Sequence, residues 1–279
     1  MMKMLKLVTC IKQVPMVSEL PWDPRTGTLK RNLADGMINP ACRYALEAAL
    51  ILKNTYGAEI TAITMGSDIA EEVLREAFAM GADRGILVSD PKMAGADTLA
   101  TSLVLSRAVQ TACADFDLIL CGCHTSDSET AQVGPQMIEE LDIPGVTYVD
   151  RLELDGRLLR LQRLSDNFIE TLEMELPGLV TITTQRQAPR YVPLAGLQDA
   201  FTDKDISRLS LEDLDLDPEL TGAKGSPTKI INVFSPTAEK DNIIMKGSAR
   251  KIVQQLFDQF DDKIGGAIGK DIKDYQESQ

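Results

Sequence analysis

The stretch Gly122 to Gly134 reads Gly-Cys-His-Thr-Ser-Asp-Ser-Glu-Thr-Ala-Gln-Val-Gly and concentrates small, hydroxyl and titratable residues in one place. Such a stretch, opening onto a helix near Pro135, can aim backbone N–H groups and a helix dipole at a diphosphate. The alternative is an ordinary connecting loop after a strand. Cys121-Gly122-Cys123 beside His124 has neither Cys-x-x-Cys spacing nor a second cluster to complete a ligand set, so no metal site is expected. His124 is the single histidine and could hydrogen-bond a ligand. No Gly-x-Ser-x-Gly elbow is present, no Gly-x-Gly-x-x-Gly follows the first strand, and no Walker A loop occurs. The residue types favour a held nucleotide over side-chain acid–base or nucleophilic catalysis, and no catalytic side chain is expected.

The elements that must position this loop are legible from periodicity. Leu5 to Ile11 reads as a strand, followed by a turn-rich segment with Pro15, Pro21, Pro24, Gly27 and Gly36. Asn39 is a good N-cap, Pro40 suits the first helical position, and Tyr44, Ala45, Ala48 and Leu52 fall on one face of a helix ended by Gly57. Glu59 to Met65, Gly85 to Ser89 and Asp117 to Cys121 read as strands, with helices over 68–80 and 97–114. This alternation predicts an α/β fold with a parallel sheet covered on both faces, Rossmann-like in kind. Ligands in such sheets sit at the carboxyl ends of the strands. There the segment after the first strand (Cys10 to Pro15), Asn39-Pro40, the turn Met65-Gly66-Ser67 and the 122–134 loop are expected to converge.

Beyond Ile143 the pattern changes. Strands are expected over 146–154, 157–163, 168–175 and 179–184, with turn signals at Asp155-Gly156 and Ser165-Asp166-Asn167, as an antiparallel extension of the same domain. From Gln185 the chain reads as loop, and residues 203–217, with six carboxylates against two basic groups, read as a solvated linker. Ser248 to Phe260 is amphipathic, with Ile252, Leu256, Phe257 and Phe260 on one side. A late helix of this kind suggests an extended arm that packs on a partner chain. The expected division is a nucleotide-binding domain over 1–200 and a linker plus C-terminal arm over 201–279.

The chain has 279 residues and a net charge of −13, which disfavours phosphate-backbone binding to nucleic acid. No apolar run reaches the length of a membrane span, no signal peptide is evident, and five cysteines do not suit a disulfide framework, so a soluble cytoplasmic protein is expected.

Seven segments, in order, resemble the β subunit of electron-transfer flavoproteins: Val-Thr-Cys-Ile-Lys-Gln-Val-Pro (8–15), Asn39-Pro40, Ala-Met-Gly-Ala-Asp-Arg (79–84), Thr-Ala-Gln-Val-Gly-Pro-Gln (130–136), Glu-Leu-Pro-Gly-Leu-Val-Thr (175–181), Pro-Arg-Tyr (189–191) and Lys-Gly-Ser-Pro-Thr (224–228). The resemblance implies a heterodimer with an FAD-carrying α subunit, the C-terminal arm packing on it. It also implies a nucleotide pocket formed by Cys10, Asn39, Pro40, Ala41, Met65, Gly122, Cys123, His124, Thr125, Ser126, Asp127, Thr130, Ala131, Gln132, Val133 and Gly134. Two versions of the family differ in what that pocket holds. The Thr-Ala-Gln-Val-Gly-Pro run resembles the electron-bifurcating version, which binds a second FAD, takes a hydride from NADH and serves an acyl-CoA dehydrogenase-like enzyme and a low-potential, ferredoxin-type acceptor. The housekeeping version binds AMP as a structural ligand. A nucleotide-binding regulatory protein of the same fold, without electron transfer, is a third reading.

The family's partner-recognition loop corresponds to residues 189–200, with Leu194 at the anchor position. The alternative is a leucine folded back on its own domain. The sequence departs from the family pattern at Cys123 to Glu129, where an Arg-Gln-Ala-Ile-Asp-Gly-Asp run is usual, and at 163–167, which lack the usual Asp-Gly turn.

Overall fold

The computed structural model describes residues 4–16, 22–23, 28–29, 36–166, 168–185, 188–229, 231 and 243–277. Pro21, Pro24 and Gly27 of the turn-rich segment and Asn167 of the second turn lie outside these. Two compact units result, residues 1–233 and 234–279.

The first unit begins with β1 (Leu5–Cys10) and short pieces β2 (Gln13–Pro15), β3 (Trp22–Asp23), β4 (Thr28–Leu29) and β5 (Gly36–Ile38). β2 pairs with β5 and β3 with β4, both antiparallel. Next come α1 (Pro40–Tyr56), β6 (Ala58–Met65), α2 (Glu71–Met80), β7 (Arg84–Val88), α3 (Thr98–Ala112), β8 (Leu118–Gly122) and α4 (Val133–Leu141). Then follow β9 (Gly145–Asp155), β10 (Leu158–Ser165), β11 (Phe168–Glu175), β12 (Gly178–Ile182), α5 (Leu194–Thr202), β13 (Ile206–Leu209) and the single turn α6 (Gly222–Gly225).

Nine strands form one sheet in the order β11-β10-β9-β12-β8-β1-β6-β7-β13. The sheet is mostly parallel and flanked by helices, the expected α/β architecture. Side chains alternate across each strand: Leu5, Leu7, Ile60, Ala62, Leu118 and Leu120 pack with α1 and α2. Val8, Cys10, Ile63, Ile119 and Cys121 face the other way, toward Val104, Leu105, Ala108 and Val109 of α3 and Met137 of α4.

Three departures from the sequence reading have physical causes. The strands after Ile143 do not form a purely antiparallel extension: β10 is antiparallel to β9 and β11, whereas β12 runs parallel between β8 and β9. All five residues of β12 are buried, as suits an interior parallel strand with both faces covered. Residues 203–217 are no solvated linker. β13 pairs in parallel with β7, and Leu211, Leu214 and Leu216 are buried among α3-side residues, so the carboxylates are the wet face of an edge segment. The segment from Gln185 is not all loop, because α5 forms at Leu194 and Ala200 buries against α2-side residues. Pro189, Pro193 and Gly196 disguise its period. Gly196 is required by packing, since a Cβ there would lie 2.3 Å from the Ala79 carbonyl oxygen.

Residues 222–228 latch onto the start of α3. The Asp97 carboxylate accepts the N–H groups of Ala100 (3.0 Å) and Thr228 (2.9 Å), and the Asp97 N–H donates to Ser226 Oγ (2.8 Å). Burial pulls the Asp97 carboxyl upward, but these hydrogen bonds outweigh it and hold the group below the usual aspartate value. A carboxyl depressed on folding stabilises above its unfolded pKa, and that contribution is lost as pH falls through the folded value. Asp97→Asn is therefore expected to remove part of the stability change below about pH 4. An acid-unfolding curve identical to wild type in that range would contradict the latch.

The second unit holds α7 (Ala249–Glu277), broken at Phe260, whose φ of −127° and ψ of 21° are not helical. Of its expected apolar side, Ile252 and Phe260 are half-buried, while Leu256 and Phe257 are exposed. Among the described residues no helix is long and apolar enough to cross a membrane.

Candidate functional site

The carboxyl ends of β1 and β8 abut the N-terminus of α1, and Asn39 joins them. It occupies the N-cap position, yet its side chain makes no capping hydrogen bond. Its Nδ2 donates to the His124 carbonyl (2.8 Å) and lies 3.3 Å from Cys42 Sγ, while its Oδ1 accepts the Ser126 N–H (2.9 Å). The Asn39 N–H donates to the Lys12 carbonyl (2.8 Å), tying in the segment after β1. Asn39 is 1% exposed, so the helix start, β1 and the 122–134 loop share one buried amide. The cap rule located the right residue, but the loop takes the oxygen that the helix would otherwise use.

Lys12 supplies a second tie: its Nζ lies 2.8 Å from both Asp127 carboxylate oxygens. Asp127 is thereby neutralised within the loop, which matters for any anion held there. The loop enters from β8 through Gly122, where a Cβ would sit 2.6 Å from Ala41 C and Cys42 N. The Cys123 N–H then donates to the Ile182 carbonyl of β12 (3.0 Å). A tight turn follows, with the Thr125 and Ser128 hydroxyls 2.9 Å apart and the Glu129 N–H donating to the Thr125 carbonyl (2.8 Å). Glu129 and Ala131 hold φ near +50° and +55°, a left-handed conformation costly for non-glycine residues. Gln132 Oε1 accepts from Thr98 Oγ1 (2.9 Å) at the head of α3. Gly134 lets α4 close on the sheet, since a Cβ would lie 2.4 Å from Thr181 Cγ2.

Of the expected pocket residues, Cys10, Asn39, Ala41, Cys123 and Gly134 are buried, and His124, Thr125 and Ala131 are half-buried. Pro40, Ser126, Thr130 and Gln132 are exposed. Met65 ends β6 and packs on the α3 side. Leu194 is not part of this cluster: it begins α5 and is 83% exposed. Lys12 lies in the Cys10–Pro15 segment expected to converge here, but its pairing with Asp127 was not expected, and Thr98 and Ile182 carry no signal in the sequence.

The cysteines are buried thiols. Cys10 and Cys121 are register partners on β1 and β8, and their hydrogen bond, with burial, pushes Cys121 well up. Burial likewise raises Cys42 and Cys123. Such thiols stay protonated and make poor nucleophiles. The Cys123 thiol lies 3.0 Å from His124 Nδ1. Among the described residues no three His, Cys, Asp or Glu side chains are grouped to hold a metal ion. The arrangement can hold a ligand through backbone N–H groups, hydroxyls and the uncapped first turn of α4.

Residues 26–214 match the electron transfer flavoprotein domain family. The chain is 39% identical to an electron transfer flavoprotein subunit beta of Thermoanaerobacterium thermosaccharolyticum, covering 93% of this chain and 99% of that one. It is 38% identical to caffeyl-CoA reductase-Etf complex subunit CarD of Acetobacterium woodii, over 88% of this chain and 93% of the relative. It is 37% identical to the acryloyl-CoA reductase electron transfer subunit gamma of Anaerotignum propionicum, over 91% and 97%. A family match spanning most of the nine-stranded sheet, together with near full-length relatives, places this chain in the electron transfer flavoprotein family, among its β subunits.

Proposed function

We propose that this β subunit binds FAD in the 122–134 loop and works in an NADH-oxidising, electron-bifurcating heterodimer with an FAD-carrying α subunit. The observation that carries this reading is the near full-length similarity to subunits named for caffeyl-CoA reductase and acryloyl-CoA reductase electron transfer. The pocket chemistry fits a dinucleotide diphosphate. Its one paired carboxylate, Asp127, is neutralised by Lys12, the Thr125, Ser126, Ser128 and Thr130 hydroxyls stand on the loop, and α4 begins without a side-chain cap. The chemistry supplied by FAD, when bound, is hydride acceptance from NADH and single-electron delivery to two acceptors. The chain's own residues bind and orient: Asn39 fixes the loop, Gly122 and Gly134 admit close backbone approach, and no side chain acts as acid, base or nucleophile. The acceptors in this reading are an acyl-CoA dehydrogenase-like or other flavin-dependent enzyme and a ferredoxin-type carrier. Leu194 docks the dehydrogenase, and the C-terminal arm packs on the α subunit through the exposed side of α7, where Val253, Leu256 and Phe257 lie.

A second reading is the housekeeping type, with AMP in the same pocket. It is favoured by position 123, where a buried cysteine against His124 replaces the arginine usual in the family. Coexpression with an α-type subunit, FAD counting per heterodimer and absorbance on NADH addition separate the two. Two FAD and rapid bleaching support the first reading; one FAD plus AMP without bleaching supports the second. The regulatory reading without electron transfer has no observation in its favour.

A further inference from the structure

Helix α5 carries more than Leu194. Phe201 stands seven residues on, the same face two turns along or roughly 10 Å away, and is 67% exposed. Both ends of this helix are held. At its C-terminal end Arg75 Nη1 donates to the carbonyls of Ala200 (2.7 Å) and Lys204 (2.6 Å), and the Arg75 guanidinium lies 5.7 Å from the centre of the Phe201 ring. Arg75 is itself fixed by Glu71 (2.8 Å). Before the helix, Arg190 is clamped by the Glu47 carboxylate. Phe201 is thus an exposed aromatic side chain with an ordered cationic backing, which lowers the ordering cost of a contact. Asp199, Asp203 and Asp205, in and just after this helix, are exposed, while the cations beside it are engaged: Arg75 with Glu71 and the two carbonyls, and Lys204 with its ammonium 5.8 Å over the Phe78 ring.

Resting on the docking reading above, we propose that Phe201 is a second anchor beside Leu194, and that this face of α5 docks a dehydrogenase through an apolar groove rimmed by Lys or Arg. Two exposed apolar side chains on one helix face, with exposed carboxylates toward its C-terminal end, suit a transient, electrostatically steered contact. A permanent subunit interface of about 2,000 Å² or more is depleted of charge at its centre. The dehydrogenase, rather than the α subunit, is therefore the occupant.

The test uses the intact heterodimer and whichever acyl-CoA dehydrogenase of the source genome gives the lowest KM with wild type. Phe201→Ala is expected to raise that KM about tenfold, with kcat, melting temperature and bound nucleotide unchanged. Phe201→Leu is expected to retain most of the affinity. Phe201→Gln repeats the test if alanine lowers the melting temperature, and the same KM rise is expected. D199N/D203N/D205N is expected to flatten the salt dependence of KM. A KM within twofold of wild type for Phe201→Ala, with Leu194→Ala still impaired, overturns the second anchor and leaves the docking reading standing. If neither variant changes KM, both fail. Dissociation of the heterodimer by Phe201→Ala on gel filtration shows that the α subunit covers this face, and overturns the proposal.

Discussion

Asn39→Ala is expected to strip bound nucleotide from the heterodimer and to lower its stability by about 2–6 kcal/mol. The size follows from what the side chain holds: the Ser126 N–H and the His124 carbonyl both lose a partner in a partly buried setting, at about 1–3 kcal/mol each. The loop would still be anchored by Cys123 to Ile182 and by Lys12 to Asp127, so the fold survives while the turn between those anchors loosens. Asn39→Asp is expected to do no better than alanine. It keeps an acceptor for Ser126 but sets a buried carboxylate oxygen against the His124 carbonyl. The measurement is nucleotide released per heterodimer after desalting, alongside a thermal melt. Full retention by Asn39→Ala would mean that the loop is held without it.

The second large effect is Arg190→Ala. Glu47, only 5% exposed, accepts the Arg190 N–H (3.1 Å), Nε (2.8 Å) and Nη2 (2.9 Å). Removing the arginine strands a carboxylate inside α1, whereas removing the carboxylate frees an arginine that is already a third exposed. The two deletions are therefore unequal. Arg190→Ala is expected to cost about 2–3 kcal/mol, discounted from a fully buried pair because of that exposure, and Glu47→Gln about 1 kcal/mol. Denaturant midpoints of the two variants decide it; equal losses would mean that Glu47 finds water when its partner leaves.

Most of the parallel half was readable because β1, β6, β7 and β8 are short apolar runs separated by amphipathic helices with recognisable stops such as Gly57 and Gly81. What local pattern does not encode is the order of strands. Nothing in Gly178 to Ile182 states that it slots between β8 and β9, and nothing in Ile206 to Leu209 states that it will reach β7. For the site, residue types pointed to the loop and to Asn39, but the partners of Asn39 lie 85 and 87 residues away, beyond any cap rule. Lys12 falls in the segment expected at the site, but its pairing with Asp127, 115 residues on, lies beyond local pattern. Helix α5 was missed because two prolines and a glycine outweighed the short run of Leu197 and Ala200.

The placement of β12 and β13 also sets the order in which a nascent chain can fold. While residues 1–177 are emerging, β8 and β9 have no strand between them, and β7 remains an open edge until Leu209 has left the ribosome. At about 5–20 residues per second, the interval between the completion of β7 at Val88 and that of β13 at Leu209 is on the order of 6–25 seconds. Throughout it, Ile86 and Val88 offer unpaired backbone to any neighbouring strand. A chain truncated before residue 206 would keep that edge permanently, and aggregation rather than a smaller working domain is its expected fate.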